Sequence, residues 1–247
     1  VPAYLPHIHR GENAIIGCEF PGTGIGEASP IVTLAPGGAG WNNGTGEGVP
    51  GPLAGQVIPG NDILVVNRAD PINAVPTAVA GTTITTNPAV PPKVPQWAMV
   101  IAVKGNCSGA DMFMKTNATG SAGIIKNAAG VPGNRTFAAL PGFSNLHSNT
   151  STLYLYTSTA YYVGQGLNGE PGLFRRRLDP VGGVAEEVID GVENMQVLYG
   201  LRVGAQRQPA RYVTASNVND WTRVVSVRIG LLTRTELEVA DAPANVA

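Results

Sequence analysis

The sequence has few charged, aromatic and sulfur-containing residues. Charged residues make up 13% of the 247 and the formal net charge is −1, so the chain lacks the basic character expected of a protein that binds nucleic acid or an anionic membrane surface. Aromatic residues make up only 6%, which disfavours a cleft for carbohydrate. No stretch approaches the ~20 consecutive apolar residues of a membrane-spanning helix. What is abundant is glycine and proline, with 32 and 20 residues, and this excess predicts a loop-rich chain with interrupted elements.

Histidine is also scarce, which limits metal binding and nucleophilic catalysis. His7 and His9 could place two imidazoles on one face of an extended segment, but no third ligand follows at a suitable spacing. His147 follows Ser144 in a loop of Gly, Asn and Ser that contains no G-x-S-x-G motif. The sequence therefore predicts neither a metal site nor a catalytic triad.

The two cysteines, Cys18 and Cys107, lie 89 positions apart. This separation excludes a CxxC redox or zinc motif and leaves two alternatives, a long-range disulfide or two free thiols. A disulfide closing a loop of that length would stabilise the fold by on the order of 4 kcal/mol in the chain-entropy model. It would also indicate an oxidising compartment.

Other polar groups that could carry chemistry have simpler interpretations. A pair of carboxylates could serve a glycosidase, but the sequence gives no distance between them. The candidates are Asp62, Asp111, Glu186, Glu187, Asp190, Glu193 and Asp220. We expect Glu186 and Glu187 to form a solvated face. The glycines at 22, 24 and 26 do not follow a strand and open a helix, so they do not form a phosphate-binding turn.

The one basic run, Arg175 to Arg177, lies in a predicted strand. Arg175 and Arg177 would share one face and Arg176 the other. The run either protects an exposed sheet edge with charge or forms a docking patch for an acidic partner. We predict no catalytic residue, no cofactor and no metal ion.

Along the chain, β-prone runs alternate with turn signals. We predict an α+β fold dominated by β-structure, with a mostly antiparallel, meandering sheet in a single domain over residues 1–247. Residues 21–60 are predicted to form a long loop. Predicted strands cover residues 62–68, 97–103, 110–116, 151–163, 173–178, 195–201 and 224–233, with a short edge strand at 82–86. Helical structure is expected only at 6–13, as at most one turn within 185–194, and in a turn from Ser216 to 220 or 221.

Several of these segments, taken in order, resemble one protein family. Ile15-Ile16-Gly17-Cys18 is similar to an "A-G-x-x-G-C" pattern, and residues 61–66 resemble an "S-D-x-L-x-V" strand. Residues 106–113 resemble "D-C-x-x-A-D-x-F". Further matches lie at 160–163, 172–176, 190–199 and 221–232. The family with this ordered set is the PilW-type minor pilins.

The resemblance implies a pilin-like head in which residues 1–20 follow an N-terminal hydrophobic helix and Cys18 pairs with Cys107. The resemblance implies that this helix is missing from the sequence. Either the sequence is a truncated soluble head, or the helix is a separate chain. In that family the chain usually continues into another strand after the segment that matches residues 221–232.

By the same resemblance the function is assembly and priming of type IV pili, without enzymatic activity. The implied partners are other minor pilins and the major pilin, with a tip adhesin as a further candidate. The implied location is the periplasmic face of the inner membrane before assembly and the extracellular pilus afterwards. Two alternatives remain: a type II secretion pseudopilin of the same fold, and an extracellular carbohydrate-binding or hydrolytic β-domain.

Overall fold

The computed structural model describes the part of the chain within residues 15–18, 51–88, 94–106, 110–125, 150–179 and 181–235, with residues 15–18 and 51 described by their backbone alone. The chain divides into two compact units. The first unit contains residues 1–16, 65–160 and 176–184, and the second contains residues 17–64, 161–175 and 185–247.

Thirteen strands account for most of the regular structure of these ranges. They are β1 (Ile15–Cys18), β2 (Ile63–Pro71), β3 (Val75–Ala80), β4 (Thr83–Asn87), β5 (Met99–Val103), β6 (Ala110–Met114), β7 (Gly123–Ile125), β8 (Thr152–Gln165), β9 (Pro171–Arg177), β10 (Glu186–Asp190), β11 (Val192–Leu201), β12 (Arg211–Val213) and β13 (Val224–Thr233). Helical structure in the same ranges is limited to three 3₁₀ turns, Gly51–Leu53, Ala215–Asn217 and Trp221–Arg223. None of the described helices is long and apolar enough to cross a membrane. The predicted dominance of antiparallel β-structure is confirmed.

The first unit contains two groups of paired strands. In one, the order is β2-β8-β5-β6, with β2 taken from residue 65 and β8 up to residue 160. Met99 of β5 lies opposite both Met114 of β6 and Tyr156 of β8, and both pairings are antiparallel. In the other, β4 lies between β3 and β7. Their buried side chains form one core, because alternate residues of each strand point to the same side. This core includes Ile72, Ile84, Val94, Val100, Phe113, Ile124 and Leu153.

The second unit contains a hairpin and a separate three-stranded sheet. The end of β8 turns into β9 through a loop closed by the hydrogen bond from the Gly166 amide to the Glu170 carbonyl, 2.8 Å long. β10 then pairs antiparallel with β9. The three-stranded sheet, called the C-terminal sheet below, has the order β12-β11-β13 and is antiparallel throughout. Its covered side includes Val197 and Tyr199, whose ring meets that of Trp221 edge-on at 4.9 Å.

Most of the predicted strands are confirmed, and β13 has the predicted bounds. The helical turn predicted within residues 185–194 is wrong. That stretch forms β10 and the start of β11, and Gly191 separates them with a φ of 64°. This left-handed conformation, which glycine adopts without strain, lets the chain change direction between two strands.

Two smaller predictions need correction. The strand at 82–86 forms as β4, but it is a central strand and not an edge strand. The turn expected to begin at Ser216 is a 3₁₀ turn over Ala215–Asn217. A second turn at Trp221–Arg223 is capped by Asp220, whose carboxylate accepts a hydrogen bond from the Thr222 amide.

Some predictions fall outside the described residues. These are the helix at 6–13 and the part of the long loop from 21 to 50. The rest of that loop, residues 51–60, includes a 3₁₀ turn and two further turns. The single head domain over residues 1–247 stays a prediction.

Candidate functional site on the C-terminal sheet

The residues that the sequence offered for metal binding, catalysis or a disulfide lie mostly outside the described ranges. His7, His9, His147, Ser144 and Cys107 belong to this set, and Cys18 is described only as part of the β1 backbone. Within the ranges that are described, no group of three His, Cys, Asp or Glu side chains could hold a metal ion. The pairing of Cys18 with Cys107 stays a prediction.

Glu186 and Asp220, two of the carboxylates named from the sequence, have side-chain partners close to them in the chain. Glu186 accepts hydrogen bonds from Arg175, with an Nη2 to Oε2 distance of 2.7 Å, and this bond with the nearby negative charge raises the pKa of the exposed Arg175 guanidinium. Asp220 accepts from the Thr222 hydroxyl and amide, and the hydroxyl hydrogen bond lowers the pKa of the carboxyl. Glu186 and Glu187 are both exposed, as expected. The Glu186 carboxylate thus forms an ion pair, and the Asp220 carboxylate caps a 3₁₀ turn.

The first residue of the arginine run does not protect an exposed edge, because β9 lies between β8 and β10 and Glu186 of β10 lies opposite Arg175. Arg177 makes two hydrogen bonds of 2.9 Å to the buried Asp179 carboxylate. Arg176 donates to the Gly183 carbonyl at 3.1 Å. Since Arg175 has its carboxylate partner as well, we infer no docking patch for an acidic partner at this run.

A surface cavity of about 390 Å³ lies in the first unit. Its lining combines apolar side chains such as Ile72 and Leu155 with the ion pair between Arg68 and Asp70, whose Nε to Oδ2 distance is 3.0 Å. The Arg68 side chain is largely exposed and the Asp70 side chain is about half exposed. The two charges are therefore paired with each other and are in contact with water. The residues that line this cavity include no side chain placed for catalysis.

One side of β11 is covered partly by a strand and partly by side chains. β12 pairs only with the last three residues of β11. Before that point, Asn61 and Asp62 lie along β11 and are buried. The Asn61 Oδ1 atom accepts from the Met195 amide at 2.8 Å, and the Asp62 Oδ2 atom accepts from the Val197 amide at 2.8 Å. The Asp62 amide donates in turn to the Met195 carbonyl at 3.0 Å.

Two side chains of β11 form further hydrogen bonds to the segment that contains Asn61 and Asp62. Asn194 and Gln196 both donate through their side-chain amides to the Gly60 carbonyl, at 2.9 and 3.1 Å. Backbone amides that are buried need hydrogen-bond partners. The Gly60 to Asp62 segment supplies them, so this side of β11 cannot accept another strand.

The opposite side of the sheet is β13, which pairs only with β11 among the described strands. Three large apolar side chains of β13 are exposed, with fractions of 50% for Ile229, 44% for Leu231 and 59% for Leu232. Ile229 and Leu231 share one face of the strand, and Leu232 lies on the other face. The exposed pair on one face is a candidate surface for interaction with another protein. It is the strongest candidate site in the part of the chain that the structure describes.

A polar group lies on the face of the sheet opposite to Ile229 and Leu231. The Arg228 guanidinium lies 3.9 Å from the centre of the Tyr212 ring, in cation–π geometry. The Tyr212 hydroxyl accepts a 3.2 Å hydrogen bond from Ser226. This bond, with the positive charge of Arg228, lowers the pKa of the Tyr212 phenol. The charge of Arg228 is thus held over β12 and away from the outer edge of β13.

A comparison with protein-family models gives a match to part of the chain. Residues 160–245 match PilW, the type IV pilus-assembly protein W family. The match supports the PilW family and involvement in type IV pilus assembly, and such a family indicates a location in the cell envelope. No curated protein and no solved structure matched the chain. The matched residues include the whole C-terminal sheet.

Sequence reasoning missed the role of Asn61 and Asp62. They were noted as the start of a strand motif and, for Asp62, as a candidate carboxylate. The available signal was their position: two polar residues directly before the apolar run of β2 are typical of side chains that satisfy backbone groups. The position of these residues could not show that the backbone groups they bind belong to β11, more than 130 positions away in the sequence.

Proposed function

We propose that the chain is a non-enzymatic minor pilin that takes part in the assembly and priming of type IV pili, in a tip complex with other minor pilins. The observation that carries this proposal is the PilW match over residues 160–245. The exposed apolar side chains of β13, which lie inside the matched range, support a role in subunit contacts. The matched family is described as a pilus-assembly protein, which favours the pilus over a type II secretion system.

The finer parts of the proposal follow from the resemblance. The domain is the pilin-like head of a protein anchored in the inner membrane by an N-terminal helix, first facing the periplasm and later displayed on the pilus. Its partners are other minor pilins, the major pilin and a tip adhesin. In an oxidising compartment Cys18 and Cys107 form a disulfide.

Deletion of the gene, with complementation by the full-length gene, tests this function. We expect the deletion strain to lose surface pili and twitching motility, and complementation to restore both. Co-purification of the full-length protein with other minor pilins is expected as well. Normal piliation and twitching in the deletion strain would contradict the proposal.

A further inference from the structure

The outer edge of β13 is the side of this strand that faces away from β11. We propose that this edge binds the same edge of a second copy of the chain, so that two C-terminal sheets join as one sheet about a two-fold axis at Ile229. The inference goes beyond the proposed function and does not rest on it. It follows from the register, the side chains and the charges of β13.

The backbone groups at this edge are directed outwards because of the register with β11. In an antiparallel pair, opposite residues alternate between exchanging hydrogen bonds and pointing their backbone groups away. The amides of Met195 and Val197 bind side chains on the far side of β11, so they do not bond to β13. The residues opposite them, Leu231 and Ile229, therefore point their own amides and carbonyls outwards. By the same alternation Val227 does so too, and no described strand pairs with β13 on that side.

This edge lacks the features that protect two other edge strands of the second unit. Natural edges are kept from pairing by charged side chains, by bulges or by being short. β10 has three acidic residues and a bulge, and β12 has three residues. β13 has 10 residues with neither lysine nor proline, and its one charged side chain, Arg228, lies over the Tyr212 ring. The long edge of β13 is therefore open and uncharged.

An uncharged edge limits what can bind to it. A partner strand with charged groups along its edge would lose their hydration there without gaining an ion pair. The edge of β13 in a second copy carries no such charge, since Arg228 is directed towards β12 in each copy. Two β13 edges can therefore meet without burying a charge, which makes a second copy the occupant that matches.

The sequence of β13 also selects one register for this pairing. Outward residues must face outward residues, and the two longest registers that satisfy this condition pair residues 224–232 or residues 225–233 with themselves. The first is centred on Arg228 and sets the two arginines opposite each other, which is destabilising for like charges. The second is centred on Ile229 and sets Arg228 opposite Gly230 of the second copy, where there is no side chain. We therefore expect the register centred on Ile229.

The same register covers the exposed apolar side chains. Opposite residues of antiparallel strands place their side chains on the same face. Ile229 faces Ile229 of the second copy, and Leu231 faces Val227. Backbone hydrogen bonds and apolar contacts thus act at the same residues, as in other cases of strand addition. The contact uses the same surface on both subunits and is closed by its two-fold symmetry.

Sedimentation velocity of the full chain tests the association. One pair of strands forms a small interface, so we expect a weak monomer–dimer equilibrium between about 1 µM and about 1 mM. Ile229→Lys places a charge at the centre of the pair and should weaken the dimer about tenfold or more. Val203→Lys adds the same charge at an exposed apolar residue between β11 and β12 and should stay within about twofold of the native chain. A non-reducing gel excludes dimers linked through a cysteine.

Hydrogen exchange tests whether the two strands pair through their backbones. The amides of Val227, Ile229 and Leu231 point outwards, whereas those of Arg228 and Gly230 point towards β11. At a concentration where the dimer predominates, the three outward amides should exchange about tenfold more slowly than in the monomer. The two amides that point towards β11 should be unchanged. This alternation distinguishes strand pairing from a contact made by side chains alone.

Several outcomes would overturn the inference. These are a chain that stays monomeric up to about 1 mM, a dimer that Ile229→Lys leaves intact, or a dimer in which all five amides are slowed alike. Outward amides that are already protected in the monomer would mean that another part of the chain covers the edge. If circular dichroism shows that Ile229→Lys is unfolded, the alternation in the native chain decides the question. None of these results depends on piliation, so failure of the proposed function would be recognised separately in the deletion strain.

Discussion

Replacing Asp62 with alanine should weaken the attachment of the Gly60 to Asp62 segment to the C-terminal sheet. The carboxylate accepts a 2.8 Å hydrogen bond from the Val197 amide, and both residues are buried. Alanine would leave that amide without its acceptor in a place closed to water. A hydrogen bond to a charged group contributes about 2 kcal/mol, and an unsatisfied buried amide costs a similar amount. We therefore expect a loss of about 2 kcal/mol in the free energy of unfolding.

Two measurements check this loss. In thermal unfolding, a change of that size lowers the Tm of a domain of this length by about 4 to 8 °C. In hydrogen exchange, the Val197 amide should exchange about thirtyfold faster, because every 1.4 kcal/mol corresponds to a factor of ten. Asp62→Asn keeps an acceptor oxygen and should lose about half as much. Asp70→Ala removes a half-exposed carboxylate that pairs with the largely exposed Arg68, so it should cost less than about 1 kcal/mol.

The reasoning would be refuted by an Asp62→Ala variant whose Tm lies within about 1 °C of the native value and whose Val197 amide keeps its protection. A fall in stability without faster exchange at Val197 would also contradict it. In that case the loss would come from somewhere other than the edge of β11.

Three further predictions concern other parts of the chain. Gly191→Ala should lower the free energy of unfolding by about 1 to 3 kcal/mol in urea unfolding. The reason is that φ is 64° and the new Cβ would lie 2.7 Å from the Arg234 carbonyl oxygen. An unchanged free energy of unfolding would contradict the described turn. Without reductant, Cys18 and Cys107 should resist alkylation and the intact mass should be about 2 Da lower than after reduction, whereas two labelled thiols would rule out the disulfide. Burial lowers the pKa of Lys115 from its ordinary value of 10.5. The unfolded chain then binds that proton more tightly, so stability should rise as pH increases towards 10.5; Lys115→Met should lose this rise, and equal slopes for both proteins would contradict it.

Long β-prone runs could be located from the sequence because their signal is local. β13 was predicted with its observed bounds, since turn signals and alternating apolar residues define it from both ends. β10 was missed for an equally local reason: acidic residues followed by Asp190-Gly191 are typical of a break. The strand forms because its backbone pairs with β9, and such a partner cannot be identified from one segment alone.

The candidate site was only partly predictable. That Val225, Val227, Ile229 and Leu231 share a face follows from the period of a strand. Whether that face is covered depends on which strands lie beside it, and this is a property of the fold. The same limit applied to Asn61 and Asp62, because their partner backbone, β11, is distant in sequence.

The closure of β11 by Asn61 and Asp62 also limits how the C-terminal sheet can be extended on that side. Along Met195 to Val197 the outward amides are already bound by side chains, so a further strand could be added there only beyond β12. Because β12 has three residues, the edge that it offers is short, and short edge strands resist pairing with another chain. The two polar side chains therefore act against edge-to-edge association on this side of the sheet.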